Sequence, residues 1–477
     1  MRKFVPLALA LAASALSGCS FMPEYFRPAA PVPQQWPEGM RSDGARQAYD
    51  LDWRQYFPDE RLQAMITAAL EHNRDMRIAV ARVEEARALY GIQRADRLPT
   101  VNLGGGHNAT RTPADLSATG RDAIARRWDV NVSTLSFELD FWGRVASLTE
   151  AAKASFLATE EARQAFRLSL IANVADAYLS LKEAEERAAL ARMTLETRGE
   201  TLRMVDKRRE VGLAGDLDYL QAEGALQSTR AELASLERQR AVAQNFLRAL
   251  VGVERTDWPG GRSLGDQGIV PDLAADLPSE VLVRRPDILA AEQRLIAANA
   301  NIGAARAAFF PRISLTAIAG TASRELSGLF DSGSGAWSFQ PSLTLPIFDA
   351  GRTSANVDLA VARKNIAVAE YEKTIQQAFR EVSDLLVGRE RLAEQLAAQE
   401  AFDKTQQQRL VLAEARYRQG IASFLEVLDA QRDTFTARQG VIQTRRTLLS
   451  AAAQLYKALG GGEYPGTSST ALSRLEK

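Results

Sequence analysis

Hydrophobic and polar positions alternate in two different rhythms along the chain, and the rhythms recur in the same order twice. Ile313, Leu315, Ala317 and Ala319 alternate with Arg312, Ser314 and Thr316, which is the period-two pattern of a strand. Trp337, Phe339, Leu343, Leu345 and Ile347 do the same against Ser338, Gln340, Ser342 and Thr344. Earlier in the chain Val101 and Leu103, then Trp128, Val130 and Val132, alternate likewise, with Phe137, Leu139 and Phe141 in the other phase. The pattern predicts strands at about 100–108, 128–141, 312–321 and 337–347.

Between and after the strand pairs the period lengthens. Residues 144–211 contain no proline and one glycine, Gly199; residues 352–419 contain no proline and one glycine, Gly388. Apolar positions such as Phe166, Leu170, Val174, Tyr178 and Leu181 recur at three- and four-residue steps, as do Ile375, Phe379, Val382 and Leu386. These stretches predict two coiled-coil-like helices, each roughly 100 Å long at 1.5 Å per residue. Shorter helices precede the strands, about 59–97 and 279–309, stopped by Pro99 and Pro311. Glycine-bearing turns, Gly212-Leu213-Ala214-Gly215 and Gly420-Ile421-Ala422-Ser423, lead into closing helices that end at Gly252 and Gly460. An opening and a closing helix together hold roughly the residue count of a long one, so laid end to end they match its length.

The recurrence is an internal duplication. A shift of 212 places Asp75 on Asp287, Arg82 on Arg294, Gly91 on Gly303, Arg94 on Arg306 and Pro99 on Pro311. A shift of 208 places Gly143-Arg144 on Gly351-Arg352, Arg208 on Arg416, Gly212 on Gly420, Leu217 on Leu425 and Gly252 on Gly460. The four-residue difference falls between Leu315 and Gly351, at the tip joining two strands, where length changes are tolerated. The expected organisation is a first repeat at 51–256, a linker at 257–278, a second repeat at 279–460 and a flexible tail at 461–477.

The amino terminus is a targeting segment. Arg2 and Lys3 precede an apolar run, Phe4 to Leu16, too short for a permanent membrane span. Residues 1–18 thus read as a signal peptide, and Leu16-Ser17-Gly18-Cys19 as a lipoprotein cleavage site with Cys19 carrying the lipid. Ser20, rather than an acid, follows the cysteine, which favours outer-membrane delivery. Prolines at 23, 28, 31, 33 and 37 make residues 19–50 an extended leash.

Composition narrows the chemistry. Lys plus Arg and Asp plus Glu are each 59 among 477 residues, so no cationic surplus is available for nucleic acid. Two histidines and one cysteine exclude zinc clusters and a disulfide framework, and the lack of a histidine-centred site argues against a hydrolase. No catalytic group, metal or cofactor is expected, apart from covalent lipid on Cys19. Gly104-Gly105-Gly106 lacks a following helix and is no nucleotide loop. Trp128, Trp142 and Trp337 fit an aromatic belt or a buried position equally well.

Four strands cannot close a membrane barrel, since the smallest need about eight. A secreted, lipidated chain with these strands and such long helices is therefore expected to pool strands with other copies and to form a conduit. A periplasmic coiled-coil lipoprotein would need no alternating strands.

Several stretches together resemble the TolC family of outer-membrane efflux factors, in its lipid-anchored OprM-like branch. They are Leu277-Pro278-Ser279-Glu280-Val281-Leu282-Val283-Arg284-Arg285-Pro286-Asp287, Asn301-Ile302-Gly303-Ala304-Ala305-Arg306, Arg416-Tyr417-Arg418-Gln419-Gly420 and Leu425-Glu426-Val427-Leu428-Asp429-Ala430-Gln431-Arg432. The resemblance covers nearly the whole chain from Cys19 to Gly462. It implies a mixed α/β membrane conduit: a homotrimer with a twelve-stranded β-barrel in outer-membrane lipid and a periplasmic α-helical tunnel. It further implies an exit duct for drugs and other small toxic compounds, docked on a periplasmic adaptor and an inner-membrane RND-type pump. The alternative from the same fold is the duct of a type I protein secretion system.

A conduit needs a gate. Glu426 and Asp429, three apart on one helix face just past the second turn, would form rings of like charge around a threefold axis. On the residues alone they fit equally well as acids favoured at a helix N-terminus. The resemblance implies that they line a constriction with Leu425, with Asp218 as the first-repeat counterpart of Glu426. Arg416 and Tyr417 are placed to tie neighbouring helices, and Asp216 to cap a helix. The turns at Gly212, Ala214, Gly420, Ala422 and Ser423 are the candidate adaptor contacts.

Overall fold

The computed structural model describes residues 20–33, 51–269, 282 and 284–461. The signal segment, Cys19, much of the leash and linker, and the tail from 462 lie outside them. The first repeat comprises α1 (Trp53–Tyr56), α2 (Glu60–His72), α3 (Arg74–Ala95), β1 (Asn102–Thr112), β2 (Ala123–Glu138), α4 (Arg144–Glu210) and α5 (Asp216–Val251). The second comprises α6 (Pro286–Ala307), β3 (Arg312–Ser323), β4 (Gly335–Thr344), α7 (Arg352–Arg418) and α8 (Phe424–Ala458). Helices α4 and α7 have 67 residues each, as their unbroken composition requires.

Two departures from the sequence expectation have local causes. The first opening helix is broken at Asn73, whose backbone turns extended (φ −59°, ψ 131°). Its carboxamide donates to the Leu250 carbonyl at the end of α5 and accepts from the Met76 amide, so it caps α3 while holding α5. Residues 72 and 73 also press on Gly252, where an added Cβ would lie 2.6 Å from the His72 carbonyl oxygen. The second opening helix starts at Pro286 rather than at 279. Proline suits the first helical position and disfavours helix in the residue before it.

The chain divides into two compact units. One comprises Met1–Ala29, Arg82–Glu160 and Ala290–Glu372, and contains a four-stranded antiparallel sheet in the order β1-β2-β3-β4. β1 and β2 are set differently from the expected 100–108 and 128–141, and β4 from 337–347, because pairing between strands, not alternation, decides where they end. The register gives the sheet two chemically distinct faces. Leu103 sits opposite Val132, which sits opposite Ala319, which sits opposite Trp337. Trp128, Val130, Ala317, Leu315 and Phe339 share that apolar face. The other face carries Asn102, Ser133, Asn131, Asp129, Thr316, Gln340 and Ser342. Trp128 and Trp337 therefore belong to the apolar face, and Trp337 is 81% exposed. Trp142 does not; it packs on Phe310 and donates to the Pro311 carbonyl.

A bulge explains the two phases in β2. Between Thr134 and Phe137 the register against β3 slips by one residue, with Ser136 at φ 54° and its amide donating to the Thr316 hydroxyl. Even-numbered side chains before the bulge and odd-numbered ones after it then share the apolar face. At the base of the sheet Glu138 is gripped by Arg144, through two bonds of 2.7 Å, and by Arg312. Glu138 is largely buried, so this pairing fixes where α4 leaves β2 and where β3 begins.

The second unit comprises Ala30–Ala81, Glu161–Leu289 and Lys373–Lys477. Its core includes Tyr56 stacked on Tyr456 at 4.8 Å, with Leu62, Ile66, Leu170, Val174, Leu179 and Leu236 buried. Asp59, fully buried, caps α2 through the Arg61 and Leu62 amides. Its other oxygen accepts from the Tyr178 hydroxyl, the Arg262 amide and Gln267. Arg285, also buried, pairs with Asp287 and Glu381 and donates to the Ala458 carbonyl, tying the start of α6 to the end of α8.

Candidate functional site

The two helix turns share one construction. At the first, the Gly212 amide bonds the Arg209 carbonyl and the Leu213 amide bonds that of Arg208, with Gly212 at φ 76°. At the second, Gly420 bonds Tyr417 and Ile421 bonds Arg416, with Gly420 at φ 73°. This pair of bonds ends a helix in a left-handed residue, which glycine adopts without a Cβ penalty. Both glycines face open space, so the backbone alone demands them. The helices that follow start without a side-chain cap. Gly215 rather than Asp216 is the cap residue of α5, and Ser423, the cap residue of α8, makes no capping bond with its side chain. Asp216 stands outside as the first helical residue, 3.7 Å from Arg209, because the turn uses Gly215 in extended form.

Behind the turns four helices meet. Val205 of α4, Ala222 of α5, Ala413 and Tyr417 of α7, and Phe424, Val427 and Ala430 of α8 form one buried cluster. Tyr417 is its polar-edged member. Its ring lies 5.5 Å from that of Phe424, and the Arg208 guanidinium sits 4.9 Å above it. Burial pushes the Tyr417 phenol above its ordinary value, Arg208 pulls it down and Asp218 pushes it up. Tyr417 thus joins α7 to both α4 and α8.

The expected gate residues stand around this cluster. Arg416 approaches Glu426 at 3.6 Å, bridging α7 and α8. Asp429 pairs at 3.2 Å with Arg432, one turn further along α8. Leu425 is 52% exposed and Asp218 half-buried. Leu425, Asp429 and Arg432 line a groove of 850 Å³ with Arg198, Thr229 and Phe435. Arg198 is buried there, donating to the Ala225 carbonyl and the Thr229 hydroxyl, and burial holds its guanidinium below its ordinary value. Ala214 and Ala422 are half-buried beside the exposed Gly212, Gly420 and Ser423.

Sequence reasoning missed Arg432, Arg208 and Arg198. The i, i+3 spacing of Asp429 and Arg432 was a usable signal for the first. The contact of Arg208 with Tyr417 joins residues far apart in sequence and left none.

Comparison with known proteins agrees with this architecture. The outer membrane efflux protein family matches residues 65–253 and 277–461, one match per repeat. The outer membrane protein OprJ of Pseudomonas aeruginosa is 46% identical over 460 residues, covering 96% of each chain. The toluene efflux pump outer membrane protein TtgF of Pseudomonas putida is 45% identical over 467 residues, covering 96% of each. The open state of the MtrE outer membrane channel of Neisseria gonorrhoeae superposes with a TM-score of 0.84 at 39% identity, over 93% of this chain and 98% of that one. This chain belongs to the outer membrane efflux protein family.

Proposed function

We propose that the chain is the exit duct of a tripartite efflux system. It passes drugs and other small toxic compounds that an inner-membrane RND-type pump and a periplasmic adaptor deliver. The observation that supports this best is the joining of a two-faced, four-stranded sheet with open edges at β1 and β4 to two 67-residue helices. Open edges do not persist in lipid, so a homotrimer pooling twelve strands is the simplest closed arrangement. The duct performs no catalysis and needs no cofactor; lipid on Cys19 anchors it. Deleting the gene and measuring a susceptibility panel of drugs, dyes, detergents and metals tests the reading. Unchanged susceptibility across the panel, with the partner pump expressed, rejects it.

Leu425, Glu426 and Asp429 form the constriction, with Asp218 as the first-repeat acid and Arg416 and Tyr417 holding the helices that carry them. The carboxylates repeated around the axis favour cations, and the Arg416 bridge holds α8 against α7. Replacing Glu426 and Asp429 together by alanine raises single-channel conductance in a planar bilayer. A variant that conducts like its parent removes these residues from the gate. The turns at Gly212, Ala214, Gly420, Ala422 and Ser423 are the adaptor contacts, and site-specific crosslinks from positions 214 and 423 report on them.

A further inference from the structure

Residues 20–28 do not hang free as a leash. They form neither helix nor strand, and alternate residues Phe21, Pro23 and Tyr25 are half-buried while Glu24 and Phe26 are exposed. Phe21 stacks on Phe310 at 4.4 Å, and Phe310 on Trp142 at 4.9 Å. The Pro23 carbonyl accepts from Asn299 at 2.7 Å. Tyr25 donates to Glu292 at 3.0 Å, and Arg27 grips the same carboxylate through bonds of 2.7 and 2.8 Å. Glu292 is only 6% exposed. Hydrogen bonding to this carboxylate, helped by its charge, raises the Arg27 guanidinium above its ordinary value. The segment crosses α6 at Gly303, where an added Cβ would lie 2.6 Å from the Ser147 hydroxyl of α4 and within 2.8 Å of the Met22 backbone.

The duplicated repeat supplies an internal control, because among the described residues nothing fills the counterpart position. A shift of 212 places Gly303 on Gly91, which has nothing within 4 Å. It places Glu292 on Val80 and Phe310 on Leu98, exposed by 41% and 70%. The seat was built in one repeat only, around the chain's own amino terminus.

The seat's position has a meaning for the membrane. Phe21, Trp142 and Phe310 sit where β2 ends and β3 begins. From Pro311 to Ser323, the partner of Trp128, the strand rises roughly 40 Å, or about 30 Å across the bilayer at the usual tilt. That matches a hydrocarbon core of about 30 Å, so the Phe21–Trp142–Phe310 group and Trp128 stand about one membrane thickness apart.

We propose that the Phe21–Arg27 segment is a docking latch whose seat on α6 holds the lipid-bearing end of the chain at the inner-leaflet edge of the sheet, and that the latch speeds insertion of the strands. The inference rests on the lipidated exit-duct reading above. An undocked segment 20–50 would let the lipid wander over roughly 100 Å of extended chain. Docking removes that slack and raises the effective concentration of sheet at membrane.

The test uses the full-length chain carrying F26C, whose thiol takes a dye because Cys19 is lipidated. Gly303→Leu overlaps the Met22 backbone, Glu292→Gln removes the charge that Arg27 grips, and Gly91→Leu is the control at the open counterpart. Dye anisotropy reports docking, and pulse-chase reports formation of the heat-resistant oligomer. Gly303→Leu and Glu292→Gln lower anisotropy and slow oligomer formation, the former by roughly tenfold or more; Gly91→Leu changes neither. If Gly303→Leu is degraded, Glu292→Gln decides. Anisotropy that is low in the parent, or variants that undock yet assemble at the parental rate, overturn the latch. A parent that forms no conducting oligomer overturns the exit-duct reading instead.

Discussion

Glu381 shows how single groups are held in the helical part of the chain. It accepts from Lys457 at 2.9 Å and from Arg285 at 3.0 Å. Burial alone would raise its pKa, but these two cations hold its carboxyl below the ordinary value of 4.5. A depressed folded value means that the contribution is fully present above the unfolded pKa and is lost as pH falls through the folded one. The thermal midpoint therefore drops between pH 7 and about 3.5, and drops less in Glu381→Gln. Equal acid sensitivity in the two proteins refutes this assignment. Such partners are the least legible part of the sequence. Asp59 was read only as the start of the first opening helix, and nothing in the sequence announced that Tyr178, Arg262 and Gln267 would converge on it. The placement of Glu426 and Asp429 on one helix face just past Gly420 was legible from their spacing. Their counter-ions were legible only where they lay on the same helix, as Arg432 does for Asp429.

Elements were more readable, because helix and strand periods and their glycine and proline stops are local. The 67-residue helices and the left-handed turn glycines follow directly from composition. The break at Asn73 does not, since it answers to the Leu250 carbonyl across the fold. One substitution separates the two roles of glycine. Gly420, at φ 73° with open space around it, loses about 1–2 kcal/mol on replacement by alanine. Gly388, inside α7 and equally unhindered, gains about 0.5–1 kcal/mol from the same change. Thermal midpoints of opposite displacement check the pair; a loss at both positions would mean that Gly388 has an unseen packing role.

At the scale of the whole molecule, the chain belongs to an outer-membrane efflux family, and of the two faces of its sheet the apolar one suits lipid and the polar one a water-filled bore. Phe339 and Gln340 are neighbours on opposite faces of β4. Lysine at Phe339 costs about 2–4 kcal/mol of insertion stability near mid-membrane, whereas lysine at Gln340 is tolerated. The yield of heat-resistant oligomer distinguishes them, and equal yields would mean that the faces are wrongly assigned.

The bulge in β2 makes parity in the sequence a poor guide to facing. Because two residues, Leu135 and Ser136, stand against Thr316 alone, a deletion of Ser136 would not turn the strand inside out. Phe137 would still oppose Leu315, and every apolar side chain would keep its side. What would vanish is the extra bend. Curvature and amphipathicity are thus written in separable characters here, and the wall of the pore can be straightened without being repainted.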